Sequence, residues 1–290
     1  LKHLFNNSEN VIPRDTSVMY YDCTNYFFES ERADEEVVDE VTGEIIIGLR
    51  QFGISKENRP NPIVEMGLIM DSRGIPISMC IHPGNTSEQL TAIPLEKEVI
   101  KMTGNKKFIY CADAGLGSYN IRKFNDMGGR AYIVTQSVKK LSQNMKEIVF
   151  IDSDYRILSN DEEITLKKMK TFDKKDKANL NLYNDYAYKI IPADTAVDTG
   201  LYENKVYKNG KARKVKAKGT LKQYVIITFS RKMMEYQRTI RERQIERAKK
   251  LLKLKDPEKI KKGPNDIRRF LKNTSSDSAA YVLDMDKIHE

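Results

Sequence analysis

The sequence has little of what builds disulfide-linked, zinc-binding or membrane-spanning proteins. Its 290 residues include no tryptophan, three cysteines and three histidines. Cys23, Cys80 and Cys111 stand singly without a Cys-x-x-Cys pair, so we predict three reduced thiols and neither a disulfide framework nor a zinc site. No apolar run approaches the roughly 18 residues of a membrane helix, and no targeting peptide follows Leu1. These absences favour a cytoplasmic chain without a membrane partner.

The charge is abundant and unevenly distributed. Charged residues make up 31% of the chain and apolar residues 40%, which is typical of a globular protein, and the formal net charge is +9. From Arg231 to Lys262 there are thirteen Lys and Arg against five Asp and Glu, and from Lys205 to Lys222 eight Lys and Arg without an acid. Such clusters predict a polyanionic partner, most simply nucleic acid. The alternative is a solvated lysine-rich surface. By contrast, the polar segment 29–61 has acidic positions from Glu31 to Glu40.

The order of predicted elements in the first half indicates a mixed sheet. Apolar, β-branched and aromatic runs predict five strands, and Asp71-Ser-Arg-Gly74 supplies a hairpin turn between the second and the third. Thr86-Ser-Glu-Gln89 has the pattern of a capping box at the start of a helix that reaches about Met102. A second helix is predicted over 118–127. The predicted strands are 17–24, 63–70, 75–81, 107–113 and 131–136. Three strands followed by alternating helices and strands predict an α/β fold with a mixed five-stranded sheet and flanking helices, which is the order of the RNase H fold.

The second half has a different composition. Short apolar alternations in a lysine-rich context predict a mainly β inserted subdomain over 139–222. A strand at Gln223–Phe229 and a long helix from Arg231 to Leu254 follow, and Asp256-Pro257 ends that helix. The chain is then predicted to consist of five parts: an N-terminal remnant 1–16, the first part of an RNase-H-like core 17–138, the insertion 139–222, the final core strand and helix 223–255, and a C-terminal linker 256–290 that starts a further segment at Ala279–Leu283.

Three carboxylates occupy positions that suggest chemistry. Asp22 lies inside an otherwise apolar strand, where an unpaired carboxylate is costly unless something such as a metal ion compensates it. Asp113 ends a second apolar strand, and ligands in open α/β sheets gather at strand ends. On the long helix, Arg238, Glu242 and Lys249 fall within roughly 40° of one another and share a face. An acid between two cations suits a metal ligand beside phosphate contacts, although an ordinary charge-laced helix gives the same pattern.

These residues together resemble the insertion-sequence transposases with a DDE triad and a Tyr-Arg-Glu-Lys signature. Tyr20-Tyr21-Asp22-Cys23-Thr24 is similar to the strand of the first acid. Gly74-Ile-Pro76 with Pro83-Gly-Asn85 resembles the hairpin and the start of the helix, and Ala112-Asp113-Ala114-Gly115 resembles the segment of the second acid. Arg238, Glu242 and Lys249 fit the last three members of the signature. The signature's tyrosine position holds Glu235, with Tyr236 one place later, and position 114 is Ala where relatives commonly have a basic residue. The resemblance covers about residues 17–254.

The resemblance implies an activity, a cofactor and partners. Asp22, Asp113 and Glu242 would be catalytic residues that hold two Mg²⁺ ions, with Mn²⁺ possible, and the ions would activate the nucleophile and stabilise the leaving oxygen. The reaction would be cleavage at transposon ends and strand transfer into target DNA. Arg238 and Lys249 would bind DNA phosphates near the scissile bond. The expected partners are double-stranded DNA and a second copy in a dimer on that DNA, in the nucleoid of a bacterial or archaeal cell.

Several alternatives stay open at this point. Glu246 lies near the face of Glu242 and is the leading rival for the third ligand. Asp71 is predicted to belong to the turn and His82 to a loop. Tyr183, Tyr186 and Tyr188 are predicted to form one face of a strand, although tyrosines also stack on bases. The rival functions are an RNase-H-like nuclease that hydrolyses without joining, such as a resolvase, and a truncated or domesticated transposase-derived DNA-binding protein without activity.

Overall fold

The chain divides into two compact units in the computed structural model, which describes residues 1–207, 211–252, 270–273 and 281–289. The first unit contains residues 1–146 and 193–223, and the second contains residues 147–192 and 224–290. The long strands β10 (Tyr186–Val206) and β11 (Ala212–Ser230) have residues in both units. The division into five parts made from sequence stays a prediction.

A five-stranded mixed sheet forms the centre of the first unit. Its strands, in chain order, are β1 (Val18–Phe27), β4 (Ile63–Met70), β5 (Pro76–Pro83), β6 (Ile109–Ala112) and β7 (Ala131–Val134), while β2 (Val37–Val38) and β3 (Ile45–Ile46) form a separate ladder. The spatial order is β5-β4-β1-β6-β7. β4 is antiparallel to β1 and to β5, whereas β1, β6 and β7 run parallel. This order and these directions fit an RNase-H-like fold, so the predicted mixed sheet is confirmed.

One face of this sheet is covered by helices, and the alternation along β1 shows which face. Met19, Tyr21 and Cys23 are buried, while Tyr20 and Asp22 between them are exposed. The helices of this unit are α1 (Lys2–Glu9), α2 (Glu88–Thr103) and α3 (Tyr119–Asn125). The buried strand residues share one core with helix residues, namely Phe5, Ala92, Leu95, Val99 and Ile121. Burial in this core raises the pKa of the Cys23 thiol to about 11, so it stays protonated.

A buried ion pair closes the turn between β4 and β5. Arg14 Nε donates to Asp71 Oδ2 at 2.7 Å, and both side chains are almost fully buried. The other Asp71 oxygen accepts the backbone N–H groups of Arg73 and Ile75. Burial alone would raise the pKa of Asp71, but the Ile75 N–H, Arg14 and the Arg73 N–H together lower it. The prediction that Asp71 belongs to the turn is confirmed.

The second unit combines short helices with a sheet. Its first elements are α4 (Gln143–Phe150), which begins in the first unit, β8 (Tyr155–Ile157), β9 (Glu163–Ile164), α5 (Leu166–Met169) and α6 (Leu180–Asn184). They are followed, after β10 and β11, by α7 (Arg231–Leu251), β12 (Leu271–Asn273), β13 (Tyr281–Leu283) and α8 (Met285–His289). One sheet has the order β11-β10-β8-β9. The buried side chains of this unit form a second core, which includes Tyr155, Ile157, Met169, Phe172 and Tyr183.

Buried Lys189 has a structural role in the second unit. Its Nζ donates to the carbonyl oxygens of Ile148, Ile151 and Ser153 at 3.0–3.2 Å, at and beyond the C-terminal turn of α4. A cation at a helix C-terminus satisfies carbonyl groups that have no partner within the helix. Burial lowers the pKa of Lys189. We therefore assign this lysine to the stability of the second unit.

Several local predictions were wrong. His82 lies within β5 and pairs with Glu65, so it is not a loop residue. The helix after the hairpin begins at Glu88 with Ser87 as its N-cap, without a side-chain cap, so Thr86 and Gln89 do not form a capping box. Tyr183 lies on α6 and not on a strand with the other two tyrosines, since β10 begins only at Tyr186. The region 139–222, predicted to be a mainly β inserted subdomain, is a different case: it contains short helices besides its strands, and the inserted subdomain stays a prediction.

The ends of some predicted elements also differ or lie outside the described residues. The second helix of the core is shorter than predicted and ends at Asn125, and the fifth strand ends at Val134. The long helix ends at Leu251. The predicted stop at Asp256-Pro257 and the first two residues of the predicted segment 279–283 lie outside the described residues, while its last three form β13.

Candidate active site

Asp22 and Asp113 directly follow the last paired residues of two adjacent parallel strands. β1 and β6 pair in register from Val18 with Ile109 to Tyr21 with Ala112. The residue that follows each member of the last pair is therefore Asp22 on β1 and Asp113 just after β6. Because successive side chains of a strand alternate between faces, Asp22 belongs to the face opposite buried Tyr21, and Asp113 follows directly after Ala112, the partner of Tyr21. Both are exposed. The fold thus brings two acids 91 positions apart in the chain to the carboxyl end of one strand pair.

Each aspartate uses one carboxylate oxygen in a local hydrogen bond. Asp22 Oδ1 accepts the N–H of Cys23 at 2.9 Å. Asp113 Oδ1 accepts the N–H groups of Gly115 and Leu116 at 2.9 and 3.3 Å, as the N-cap of the short 3-10 turn Ala114–Leu116. Among the described residues, neither Oδ2 atom has a hydrogen-bond partner. Each side chain is thus oriented by its own backbone while one oxygen remains open to a cation.

A lysine and a glutamate that the sequence did not single out stand beside these acids. Lys56 Nζ donates to the carbonyl oxygen of Cys23 and lies 3.3 Å from Glu88 Oε1. Glu88 Oε2 and Asp113 Oδ1 lie 3.9 and 3.3 Å from the point that a Cβ of Gly115 would occupy. Lys56 therefore joins the middle of β1 to the first turn of α2, and Glu88 lies close to the turn that follows Asp113.

Glu65 adds a buried carboxylate near the Lys56–Glu88 pair. It faces Asn25 in the β1–β4 register, and the Asn25 amide donates to its Oε1 at 3.4 Å. Burial raises the pKa of Glu65, and the charge of Glu88 adds to the increase, while Asn25 and Lys56 oppose it. Glu65 could have been found by the signal that indicated Asp22, because it too is an acid inside an apolar strand.

The third predicted acid lies on α7 in the second unit. Arg238, Glu242 and Lys249, which helical spacing places on one face, are all exposed on this helix. Glu242 and Lys249 line a shallow surface depression together with the rival acid Glu246, along with Thr239, Arg243 and Ile245. A carboxylate and a lysine on one exposed helical face can bind a cation or a phosphate group. The same depression keeps Glu246 as an alternative to Glu242.

Glu235, which stands where the signature has tyrosine, has a structural partner. The Tyr183 hydroxyl donates to Glu235 Oε2 at 2.8 Å, and Arg231 Nη2 lies 2.8 Å from Oε1. Arg231 Nε also donates to the carbonyl oxygen of Phe172. These contacts attach the first turns of α7 to α6 and to the core of the second unit. Tyr236, one place later, is exposed.

Asp22 and Asp113 are the predicted ligands that the structure brings together. Within the described ranges, no three His, Cys, Asp or Glu side chains form a group that could hold a metal ion. Glu242 belongs to the other compact unit, so the triad of Asp22, Asp113 and Glu242 stays a prediction. In the part of the chain that the structure describes, no helix is long and apolar enough to cross a membrane.

Comparison with known proteins gives weak structural similarity and no sequence match. No protein-family model and no curated protein matches the chain. Two solved structures are each 15% identical to this chain, with a TM-score of 0.27. The first is a Mos1 transposase paired-end complex with the left transposon end, and the similarity covers 46% of this chain and 39% of that chain. The second is a Mos1 mariner paired-end complex with Mn, and the similarity covers 45% of this chain and 39% of that chain. A piggyBac transposase synaptic complex with hairpin DNA is 11% identical with a TM-score of 0.31, over 60% and 30%. The chain spans well under half the length of each, and similarities this weak assign no activity to it.

Proposed function

We propose that this chain is the catalytic region of a DDE transposase of the insertion-sequence type. The observation that carries the proposal is the adjacent placement of Asp22 and Asp113 at the carboxyl end of the β1–β6 pair, in a sheet of RNase-H-like order. Carboxylates held side by side and open to solvent repel each other unless a cation joins them. Oxygen ligands of this kind suit Mg²⁺ or Mn²⁺.

The proposed site consists of Asp22, Asp113 and Glu242 as ligands of two divalent ions. When bound, the ions would supply Lewis-acid activation of the attacking oxygen and stabilisation of the leaving oxygen in phosphodiester chemistry. Asp22 and Asp113 would provide the oxygens left open by their local hydrogen bonds. Glu242 would complete the set from α7, and Arg238 and Lys249 would hold DNA phosphates on the same helical face.

The charge of this helix supports DNA as the partner. Arg238, Arg241, Arg243 and Lys249 are exposed on α7, and a dense group of cations gains affinity for DNA by releasing its counterions. The substrate proposed is double-stranded DNA at transposon ends and at target sites, bound by a dimer. Such a protein would act on the nucleoid of a bacterial or archaeal cell.

Metal binding and DNA cleavage test the proposal together. Mn²⁺ binding to the full chain is measured by electron paramagnetic resonance, and nicking of supercoiled plasmid is measured with Mg²⁺ or Mn²⁺. Asp22→Asn, Asp113→Asn and Glu242→Gln are each expected to abolish nicking, and the two aspartate variants to weaken Mn²⁺ binding at least roughly tenfold. Glu246→Gln is the matched control on α7 and is expected to nick like the wild type.

The other outcomes identify the rivals. If Glu246→Gln abolishes nicking and Glu242→Gln does not, Glu246 is the third ligand. Nicking without any strand joining would favour a nuclease such as a resolvase. DNA binding without Mn²⁺ binding or nicking would overturn the catalytic proposal, and the chain would then be a transposase-derived DNA-binding protein, for which the basic density of α7 is the supporting observation.

A further inference from the structure

The segment between β1 and β4 contains an acidic and apolar arm, defined here as residues 29–47. It carries eight Asp and Glu against a single Arg. Its only regular structure is the β2–β3 ladder, in which Val37 pairs with Ile46 and Val38 with Ile45. A two-stranded ladder this short is not stable by itself in water, because it buries little apolar surface. The arm therefore requires support from another surface.

The arm exposes its apolar residues on both faces. Val37, Val41 and Ile45 are exposed by 60%, 95% and 62%, and Val38 and Ile46 are exposed as well. Neighbouring residues on a strand point to opposite faces, so neither face of the ladder is covered. A contiguous group of exposed β-branched side chains rimmed by charge is typical of a protein interaction site.

The acids of the arm determine what kind of partner fits. Asp34 is paired with Arg50, and Asp39 accepts the N–H groups of Val41 and Thr42 in the turn. The other six acids are exposed and form no ion pair with any residue that the structure describes. A surface of this charge repels DNA phosphates. Its partner must offer positive charge together with apolar area.

The chain itself carries a surface of that description on β10 and β11. We define the basic hairpin as residues 202–207 and 211–222, of which the structure describes the side chains of 202–207, 211–215 and 221–222. Lys205, Arg213 and Lys214 are exposed, and so are Tyr202 and Val206. From Lys205 to Lys222 the sequence has eight basic residues and no acid. The arm and the basic hairpin are thus complementary in charge, and each has exposed apolar side chains.

We propose that the acidic arm of one copy docks on the basic hairpin of a second copy, and reciprocally, in a twofold dimer. Both surfaces are exposed within one chain, and a twofold axis repeats the same contact twice. Each contact joins opposite charges around β-branched and aromatic side chains. The inference rests on the proposed function only in that it specifies the dimer expected there, and the contact itself needs neither DNA nor metal.

Exchange of charge between the two surfaces gives a decisive test. The arm variant is Glu35→Lys with Glu36→Lys and Glu40→Lys, and the hairpin variant is Lys205→Glu with Arg213→Glu and Lys214→Glu. Self-association of the full chain is measured by sedimentation equilibrium without DNA or metal, at low and high salt. The wild type is expected to dimerise and to do so less at high salt. Each variant alone is expected to associate at least roughly tenfold more weakly, because both contacts then join like charges.

An equimolar mixture of the two variants is expected to regain dimerisation. In the mixed dimer, each contact again joins opposite charges, so both contacts are restored at once. The matched control is Glu9→Lys with Glu98→Lys and Asp126→Lys, which reverses three exposed acids outside the arm and is expected to dimerise like the wild type. Circular dichroism checks that each variant folds. If the arm variant does not fold, the milder double variant Glu35→Gln with Glu36→Gln takes its place, and it is expected to weaken self-association less.

The proposal fails if the wild type is a monomer at all concentrations, if the variants associate as the wild type does, or if the mixture associates no better than its components. These results are independent of catalysis. A chain that dimerises through the arm but neither binds Mn²⁺ nor cleaves DNA would overturn the proposed function and leave the dimer contact in place.

Discussion

The Lys56 ammonium group lies 3.3 Å from the Glu88 carboxylate and donates to the carbonyl oxygen of the residue that follows Asp22. A cation and an anion thus stand together beside the two aspartates, and their charges largely offset each other. Removing the charge of Lys56 makes the potential at the proposed metal site more negative, and removing the charge of Glu88 makes it more positive. Lys56 and Glu88 therefore offer a test of that site through charge alone.

Lys56→Met is expected to tighten Mn²⁺ binding and Glu88→Gln to weaken it, each by roughly two- to fivefold, since a partly exposed charge is worth up to about 1 kcal/mol. Titration of the full chain with Mn²⁺ at low salt measures both changes, and higher salt should reduce them. Arg59→Met, which removes an exposed cation beside Phe27, is the control. Changes of the same sign in both variants would show that the pair does not act through its charge.

Asp71→Asn is expected to lower the free energy of unfolding by about 3–5 kcal/mol, because it leaves the buried Arg14 guanidinium without its counter-ion. Urea unfolding measures the loss, with exposed Asp126→Asn as the control. The double variant Arg14→Met with Asp71→Asn is expected to lose less than the two single variants combined, since it leaves no buried charge. Simple additivity would contradict a role for the ion pair.

Glu96 predicts a pH dependence of stability. Burial raises its pKa from 4.5 to about 7, against the opposing effects of Asn125 and Arg130. The folded chain therefore keeps this proton at pH values where the unfolded chain has lost it. The resulting contribution to stability is fully present below about pH 4.5 and is lost as the pH rises through about 7. Stability due to this group falls with rising pH across that window.

Glu96→Gln is expected to remove this pH dependence and to be more stable than the wild type at pH 8 by about 3 kcal/mol, at 1.36 kcal/mol for each pKa unit. Near pH 4.5 the two proteins should be close to equal. Urea midpoints at several pH values measure the difference, and exposed Glu98→Gln on the same helix is the control. An unchanged slope with pH would mean that Glu96 is ionised in the folded chain at neutral pH.

The Tyr183–Glu235 hydrogen bond predicts coupling between α6 and α7. Tyr183→Phe and Glu235→Gln are each expected to lower the unfolding midpoint, and the double variant should lose less than the two single variants combined, because Tyr183→Phe removes the donor of this contact and Glu235→Gln weakens it by removing the acceptor's charge. Thermal unfolding of the three variants measures this. Glu235 also raises the pKa of Tyr183, so Glu235→Gln should lower the pH at which this tyrosine ionises. Independent, additive effects would contradict the coupling.

The sequence alone was sufficient for elements whose signals are local. The apolar runs around Tyr21, Ile69 and Tyr110 predicted their strands, because alternating burial depends on neighbouring residues. The basic helix and its shared face for Arg238, Glu242 and Lys249 followed from helical spacing. Local rules misled at His82 and at Thr86, where the continued pairing of β5 with β4 and the docking of Gln89 on the Gly115 carbonyl override turn and capping preferences.

The tertiary structure decided what depends on residues distant in the chain. Strand pairing sets the register that places Asp22 beside Asp113, and no local pattern contains that register. The same holds for the Arg14–Asp71 ion pair and the position of Lys56, whose partners lie tens of residues away. The sequence by itself determined which residues could bind a metal ion or DNA, because that depends on side-chain chemistry. Which of them stand together was decided by folding, because sheet pairing and burial act between segments that the sequence keeps apart.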